Sequence, residues 1–461
     1  MDSPIANIDA NIESISLPKH AIRVLELVEA AGFEAWAVGG FVRDALLGRP
    51  VHDVDLATSA TWQQVQSVCE AAGLHTFETG VAHGTLSVLV DDETIEVTTY
   101  RSDGTYSDAR HPDEVNFVSS IEEDLARRDF TINALAWHPT RALLDCYGGV
   151  EDLKAGVIRA VGVAEKRFAE DALRIVRAVR FASELGFSIE EDTLTGANAQ
   201  VEKLERIAVE RKVAEMTRLL CGQNVRAILM DYPTIIDAVL PELRPMRNLD
   251  QKSRYHIYDV MEHTAYVVAN TAAEPLLRWA ALLHDVGKPA AFHEDEKGRG
   301  HFFGHAKIGA EMAAQIMKRF KMTPRFAADV ELLVRYHDTH IQAEPASVKR
   351  LLHKLSDRPE LMRALCELQI ADALAHHPDY TERSTMAEEV LQCLEEVLAQ
   401  DEAFSLKHLA VNGDDVLALG IEPGPRVGEV LEEALAAVMS GEVPNSRGSL
   451  LEFIRSADRS K

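Results

Sequence analysis

Hydrophobic patterning changes once along this 461-residue chain, near residue 165, and that change limits the possible folds more than any other feature. Before it, apolar runs such as EAWAVGG, HDVDLAT, GTLSVLV and TIEVTTY read as strands between helical stretches such as VRDALLG. After Phe168 almost everything reads as amphipathic helix. The prediction is an α+β protein: a head of mixed sheet and helices, then all-α segments. Pro233, Pro241 and Pro245 interrupt the helical pattern and place a second boundary near 240, and the helices then run to about residue 400 before a less informative tail. The expected domains are 1–165, 166–240, 241–400 and 401–461. No period of 20–50 residues repeats and no Pro-rich or Gly/Ser-rich linker stands out, which excludes a solenoid and a bead string.

Composition narrows the function classes. A chain of 461 residues has room for several buried cores. No window approaches the roughly 18 consecutive apolar residues of a membrane span, so no membrane partner is expected. The N-terminal stretch carries Asp2, Asp9 and Glu13 and lacks the basic start and apolar core of a secretory signal, and the five cysteines form no CxxC pair. A reduced, cytoplasmic protein without a cysteine zinc site is the expectation. The net charge of −26 argues against a protein that grips nucleic acid over its whole surface. Any such contact must be local, and the acidic run from 388 to 404 reads as a solvated face.

Two constellations carry chemistry. In the first, the strand EAWAV runs into Gly39-Gly40 and a short helix ended by Gly48, which points backbone amides at one place suited to a triphosphate. In HDVDLAT, Asp53 and Asp55 stand two apart in an expected strand, so both carboxylates project from one face. Such a pair suits Mg²⁺, whose hard oxygen coordination leaves positions for water and phosphate. In two-metal nucleotidyl transfer one ion activates the attacking hydroxyl and the other steadies the leaving pyrophosphate, which is why two carboxylates are needed. Glu96, in the expected strand TIEVTTY, is a candidate third ligand or an ordinary solvent-facing residue. Further along, Asp171 and Arg174 are three apart on an expected helix and offer an acceptor and donors for the Watson–Crick edge of cytosine or adenine. Arg177 and Arg180 follow, as base-site residues or as surface ion pairs.

The segments GGFVRDALLGRPVHDVDLATSA, TTYRSDGTYSDARHPDEVNF, LARRDFTINALA and EDALRIVRAVRFA resemble, in order, the four leading motifs of bacterial-type (class II) tRNA nucleotidyltransferases, a family that includes CCA-adding enzymes and poly(A) polymerases. The resemblance covers about residues 35 to 220. It implies a polymerase-β-like nucleotidyltransferase head and a helical neck and body that hold the tRNA acceptor end. It also implies metal ligation by Asp53 and Asp55, phosphate contacts by Gly40 and Arg43, and ribose and phosphate contacts by the run Arg127-Arg128-Asp129, with Arg128 foremost. Glu170, Asp171, Arg174 and Arg177 match the motif in which side chains choose the incoming base. The loop 101–117, with Arg101, Asp103 and Tyr106, matches one that helps switch from CTP to ATP. The partners implied are the tRNA 3′ end, CTP and ATP, with an A-adding enzyme or poly(A) polymerase as the alternative.

The second constellation, His263, His284-Asp285, His305, His337 and Asp372, stands in the order typical of HD-superfamily metal-dependent phosphohydrolases. Imidazole and carboxylate suit transition metals as well as Mg²⁺, so a divalent cation of open identity is expected there. The resemblance implies either a working phosphatase and 2′,3′-cyclic phosphodiesterase or a domain that merely supports RNA. A hydrolase whose head only binds nucleotide is the competing reading.

Overall fold

The chain splits into two units, Met1–Pro241 and Glu242–Lys461. The computed structural model describes residues 7–51, 53–103, 115–380, 382–399 and 405–458.

Nine strands in the first unit concern the site: β1 (Ala35–Val38), β2 (Asp55–Thr58), β3 (His75–Gly80), β4 (Thr85–Val90), β5 (Glu93–Thr99), β6 (Arg101–Asp103), β7 (Val115–Phe117), β8 (Leu135–His138) and β9 (Ala142–Asp145). Seven form one sheet in the order β3-β4-β5-β2-β1-β8-β9, while β6 and β7 pair separately. The sheet is mixed, because β2 runs parallel to β5 and antiparallel to β1. All four residues of β1 and of β8 are buried, so the centre of the sheet is covered on both faces. On one face Trp36, Val38, Ala57, Ala134 and Ala136 pack with Tyr100 and with Ile121 and Leu125 of the helix Ile121–Ala126. This apolar cluster removes water from the strands whose ends carry the carboxylates.

Beyond the sheet the first unit is helical. Leu173–Leu185 packs along Val209–Leu220. Between them Arg180, 1% exposed, is held by Glu184 at 2.6 Å and by Glu215 at 2.6 Å. Arg180 is thus a buried structural cation, and the surface ion-pair reading of it is corrected: a guanidinium this deep survives only with carboxylates on both sides.

The second unit is all-α apart from a two-stranded hairpin at residues 293–301. Helices Val260–Asn270, Pro275–Leu283, His305–Arg319, Pro324–Tyr336 and Pro359–Leu374 pack on one another, and Trp279 of Pro275–Leu283 is fully buried. The closing helices Gly413–Ala418, Pro425–Met439 and Arg447–Asp458 build a small core of their own from Val416, Ile421, Val430, Leu450 and Ile454. No described helix is long and apolar enough to cross a membrane, and none of the five cysteines is in a disulfide.

Candidate active site and metal centre

In the first unit, the end of β1 lies beside the start of β2, with Val38 opposite Asp55. The strand begins only at Asp55. Asp53 precedes it in extended chain, so the expectation that both aspartates lie within the strand is corrected by one element boundary. The alternation nevertheless persists: Asp53 and Asp55 are exposed on either side of buried Val54. The parallel pairing of β2 with β5 sets Glu96 directly opposite Asp55. Three carboxylates therefore gather at one edge. Protein crowds Asp55 on most sides, and that desolvation, with the charges of Glu96 and then Asp53, raises its carboxyl pKa against the opposing pull of Arg128. A group of like charges that keeps itself partly uncompensated is what an added cation would relieve.

Gly39 turns the chain out of β1 with φ of +70°, and a Cβ there would lie 2.6 Å from Arg128 Nη1. The positive φ of the turn favours glycine, and its bare Cα leaves the Arg128 guanidinium room to pass close by. Gly40 then opens the helix Gly40–Leu46. Together they border a cavity of about 670 Å³ that also takes in Asp53, Asp55, Arg43, Arg128, Asp129, Asp171, Arg174 and Arg177. Eight arginines line it: 43, 127, 128, 174, 177, 180, 211 and 218. That local density of cations resolves the tension between an acidic chain and an anionic ligand. Glu96 and Glu170 stand behind the lining, Glu96 against Asp55 and Glu170 against Arg174 at 2.7 Å.

The arginines differ in how far they are committed. Arg43 is clamped by both oxygens of Asp44 at 2.9 and 2.8 Å and gives Nη1 to Asn133 at 2.7 Å. Asn133 passes the link on to Asp129 Oδ1 at 3.0 Å, and Asp129 Oδ2 receives Arg177 at 2.8 and 2.6 Å. Burial would raise the Asp129 carboxyl, but Arg177 and Asn133 overcome it and hold the group well below the ordinary range. Arg128 makes only long contacts, to Asp124 at 3.3 Å and to the Asn133 carbonyl at 3.4 Å, and its buried Nε has no hydrogen-bond partner. It is the cavity's least satisfied guanidinium, ready for an anionic acceptor.

The expected helical pair Asp171 and Arg174 is corrected. The helix preceding them ends at Glu170, and the next begins at Leu173. Asp171 instead accepts from the Leu173 amide at 2.9 Å and from Arg211 at 2.9 Å. Arg174 bonds Glu170 and the carbonyls of Arg167 and Arg127 at 2.7, 3.2 and 3.0 Å. Asp171 and Arg174 still border the same cavity. Arg211 is the residue that sequence reasoning missed. Its Nη1 is buried without a hydrogen-bond partner, and it sits on the amphipathic helix Val209–Leu220. Of the specificity loop, β6 and β7 are paired, with Arg101 opposite Phe117, whereas Tyr106 lies outside the described residues.

In the second unit the six expected ligands come together from five places: the helix Val260–Asn270, the end of Pro275–Leu283, the start of His305–Arg319, the end of Pro324–Tyr336 and the last turn of Pro359–Leu374. Side-chain atoms of His263, His284 and Asp372 form one group, and those of Asp285, His305 and His337 another, each within 4.8 Å. Carbonyl oxygens fix the tautomers, because a carbonyl only accepts. The Nδ1 atoms of His284, His305 and His337 lie 2.7, 2.9 and 2.7 Å from the carbonyls of Ala281, Phe302 and Val334. Each Nδ1 therefore carries a proton, and Nε2 is the ring atom left to face the centre. His305 Nε2 and His337 Nε2 face one another at 3.2 Å. A cation between them would take a lone pair from each. Burial opposes the charges of Asp285 and Asp372, but His284 and Lys288 beside Asp285, and His263 beside Asp372, keep both carboxyls well below the ordinary range. The donor set of imidazole nitrogens and ionised carboxylates fits divalent metal. Gly287 makes the approach possible: a Cβ there would overlap the His305 carbonyl and lie 2.6 Å from Gly309 N, wedging the His305 helix off the Asp285 turn.

A cavity of about 500 Å³ opens on this centre, with Tyr255, Phe302, Phe303, Lys288 and Arg383 around Asp285, His305, His337 and Asp372. The centre is therefore reachable from solvent.

Comparison with known proteins finds families for both units. Residues 35–159 match the family described as poly A polymerase head domain, 186–246 the one described as probable RNA and SrmB-binding site of polymerase A, and 254–377 the HD domain. The CCA-adding enzyme of Lactiplantibacillus plantarum is 34% identical over 447 residues, covering 95% of this chain and 96% of that one. The CCA-adding enzyme of Streptococcus pneumoniae is 33% identical over 437 residues, covering 94% and 96%. The crystal structure of the Bacillus stearothermophilus CCA-adding enzyme in complex with CTP superimposes with a TM-score of 0.74 at 29% identity over 96% of this chain and 98% of that one. For the fold alone, the Thermotoga maritima CCA-adding enzyme complexed with tRNA gives a TM-score of 0.54 at 20% identity over 98% of each chain. With relatives that match nearly end to end, the chain belongs to the tRNA nucleotidyltransferase and poly(A) polymerase family, among the CCA-adding enzymes.

Proposed function

We propose that this chain is a template-independent CCA-adding enzyme that transfers CMP and then AMP from CTP and ATP to the tRNA 3′ end, working in the cytoplasm. The observation that carries the reading is the trio Asp53, Asp55 and Glu96 at one edge of a cavity lined by eight arginines. Asp53, Asp55 and Glu96 would hold Mg²⁺, which when bound lowers the barrier to attack by the terminal ribose hydroxyl on the α-phosphate and to departure of pyrophosphate. Arg128, with its unpartnered Nε, and Arg43, braced by Asp44 and Asn133, orient the triphosphate above Gly40. Asp129 holds Arg177 in place behind them. Asp171 and Arg174 meet the base edge, with Arg211 steadying Asp171. On this reading residues 1–165 are the nucleotidyltransferase head, 166–240 the neck and body for base choice and tRNA contact, 241–400 the HD domain and 401–461 a helical tail. The test is incorporation of labelled CMP and AMP into tRNA transcripts that lack the terminal CCA.

The second site has its own activity on this reading. The facing Nε2 atoms of His305 and His337 favour a divalent-metal phosphohydrolase in the HD domain, with 2′,3′-cyclic phosphates and phosphomonoesters as substrates. The check is turnover of 2′,3′-cAMP and p-nitrophenyl phosphate with Mg²⁺, Mn²⁺, Ni²⁺ or Co²⁺ supplied in turn.

A further inference from the structure

Two histidines beside the HD centre are not among its six ordered ligands. His256 precedes the helix Val260–Asn270, and His376 follows the helix Pro359–Leu374. Their ring centroids are 4.5 Å apart at 83°, and His376 stacks on His263 at 5.3 Å and 14°. One side-chain atom from each of His256, His263 and His376 lies within 4.8 Å of the others. The pair is held in advance by backbone: the His377 amide donates to the Tyr255 carbonyl at 2.8 Å, tying together the two segments that carry the rings. His376 Nε2 stands 3.7 Å from Asp372 Oδ1. His256 Nδ1 is buried with no hydrogen-bond partner, which is costly for a nitrogen that does nothing. Both rings border the solvent-reachable cavity, so an ion has a path in.

We propose that the metal centre extends to a third divalent-cation position, held by His256 and His376 and joined to the neighbouring position through Asp372. The division of ligands follows from their valence. An imidazole nitrogen has one lone pair and serves one ion, so His263, with Nε2 at 2.9 Å from Asp372 Oδ1, stays with His284 in the first position. A carboxylate has two oxygens and can bridge. Asp285 lies between the His284 side and the His305–His337 pair, at 3.1, 3.5 and 3.7 Å from the three Nε2 atoms, and Asp372 Oδ1 lies at 2.9 and 3.9 Å from the Nε2 atoms of His263 and His284 and at 3.7 Å from that of His376. A position with two nitrogen ligands takes a borderline cation such as Zn²⁺, Ni²⁺ or Co²⁺ in preference to Mg²⁺.

This inference rests on the second unit being a metal centre, and bound-metal counting separates the two. Full-length protein carrying Asp53→Ala and Asp55→Ala, which removes ions from the head, is loaded with Zn²⁺, freed of excess by gel filtration and counted by mass spectrometry. Three ions per chain are expected, falling to two when His256→Ala and His376→Ala are added. His256→Gln with His376→Gln serves as a second variant, and the thermal melt of each chelator-treated variant, compared with the background, shows whether it is folded. A count of two in the background that these substitutions leave unchanged overturns the third position alone. A drop of more than one ion in a folded variant also overturns it, since the histidines would then belong to the first position. No Zn²⁺ in the background overturns both readings.

Discussion

Asp55 and Glu96 stand opposite one another across the parallel β2–β5 ladder, two like charges at the edge of an arginine-lined cavity. Their repulsion is part of why the Asp55 carboxyl is harder to ionise than usual, after desolvation. The folded state thus holds the Asp55 proton more tightly than the unfolded state does. The resulting stability is fully present below the unfolded pKa and is lost as pH rises through the raised folded value. Glu96→Gln should therefore raise the melting temperature of chelator-treated protein at neutral pH, by a gain on the order of 1 kcal/mol, while cutting nucleotide incorporation at least tenfold. Melting curves and incorporation rates on one preparation check the opposite signs. Asp53→Ala and Asp55→Ala should each leave no more than a few per cent of incorporation.

The Asp129–Arg177 pair has the contrary pH signature. Its carboxyl is held well below the ordinary value, so its stabilising effect is present above the unfolded carboxylate pKa of about 3.9 and is lost as pH falls through the depressed folded value. Asp129→Asn should cost about 2–3 kcal/mol at neutral pH, somewhat less than a fully buried pair because Arg177 is partly open to the cavity. Denaturant melts from pH 7 down to pH 2 should show the gap between wild type and variant closing below about pH 4.

Base choice should fail in a specific way. Arg174→Ala removes the donors facing the cavity and should lower use of CTP and ATP while relaxing rejection of UTP and GTP, because a wrong base edge no longer strands a buried polar group. Arg211→Ala should act in the same direction but more weakly, through the release of Asp171. Competition among the four nucleotides on one tRNA substrate reads both effects; an unchanged preference in Arg174→Ala places selection elsewhere.

Stripping the loop of its side chains should separate the two halves of the reaction. Alanine substitution of residues 103 to 106 should spare addition of the two cytidines and block the terminal adenosine, since the loop's proposed task is to reposition the base-reading segment. Sequencing the 3′ ends of the products distinguishes that outcome from an equal loss of both steps.

Local chemistry was legible in the sequence, and geometry set by distant segments was not. The Gly39-Gly40 turn, the Asp53/Asp55 spacing and the order of His263, His284, Asp285, His305, His337 and Asp372 are readable because each motif carries its own chemistry in a few adjacent residues. The place of Glu96 depends on a parallel pairing some 40 residues from Asp55, which no local pattern encodes. Asp171 was misplaced because EDALRIVR has an unbroken helical period, and only the Leu173 amide and Arg211 reveal that its carboxylate ends one helix and starts another. Arg180 stayed open between a base-site residue and a surface ion pair, because the two carboxylates that make its burial tolerable, one of them on another helix, are not adjacent in sequence. His256, alone in a connecting segment, and His376, beside His377, match no ligand spacing that would single them out.

The two units should be chemically separable. His284→Ala or Asp285→Ala removes a ligand of the second unit and should abolish metal-dependent hydrolysis of 2′,3′-cyclic phosphates while leaving CCA synthesis within about twofold of wild type. Parallel assays of one preparation show whether the activities divide.

The central claim is tested most directly by a single gel. Transcripts of one tRNA that end before the first added C, after the second C, or with the complete CCA are incubated with CTP and ATP singly and together, in the presence of Mg²⁺. The account predicts growth of the first by two residues with CTP alone and by three with both nucleotides, growth of the second by one with ATP, and no growth of the third. Extension by ATP alone into a long ladder, or no extension of any transcript, would contradict it.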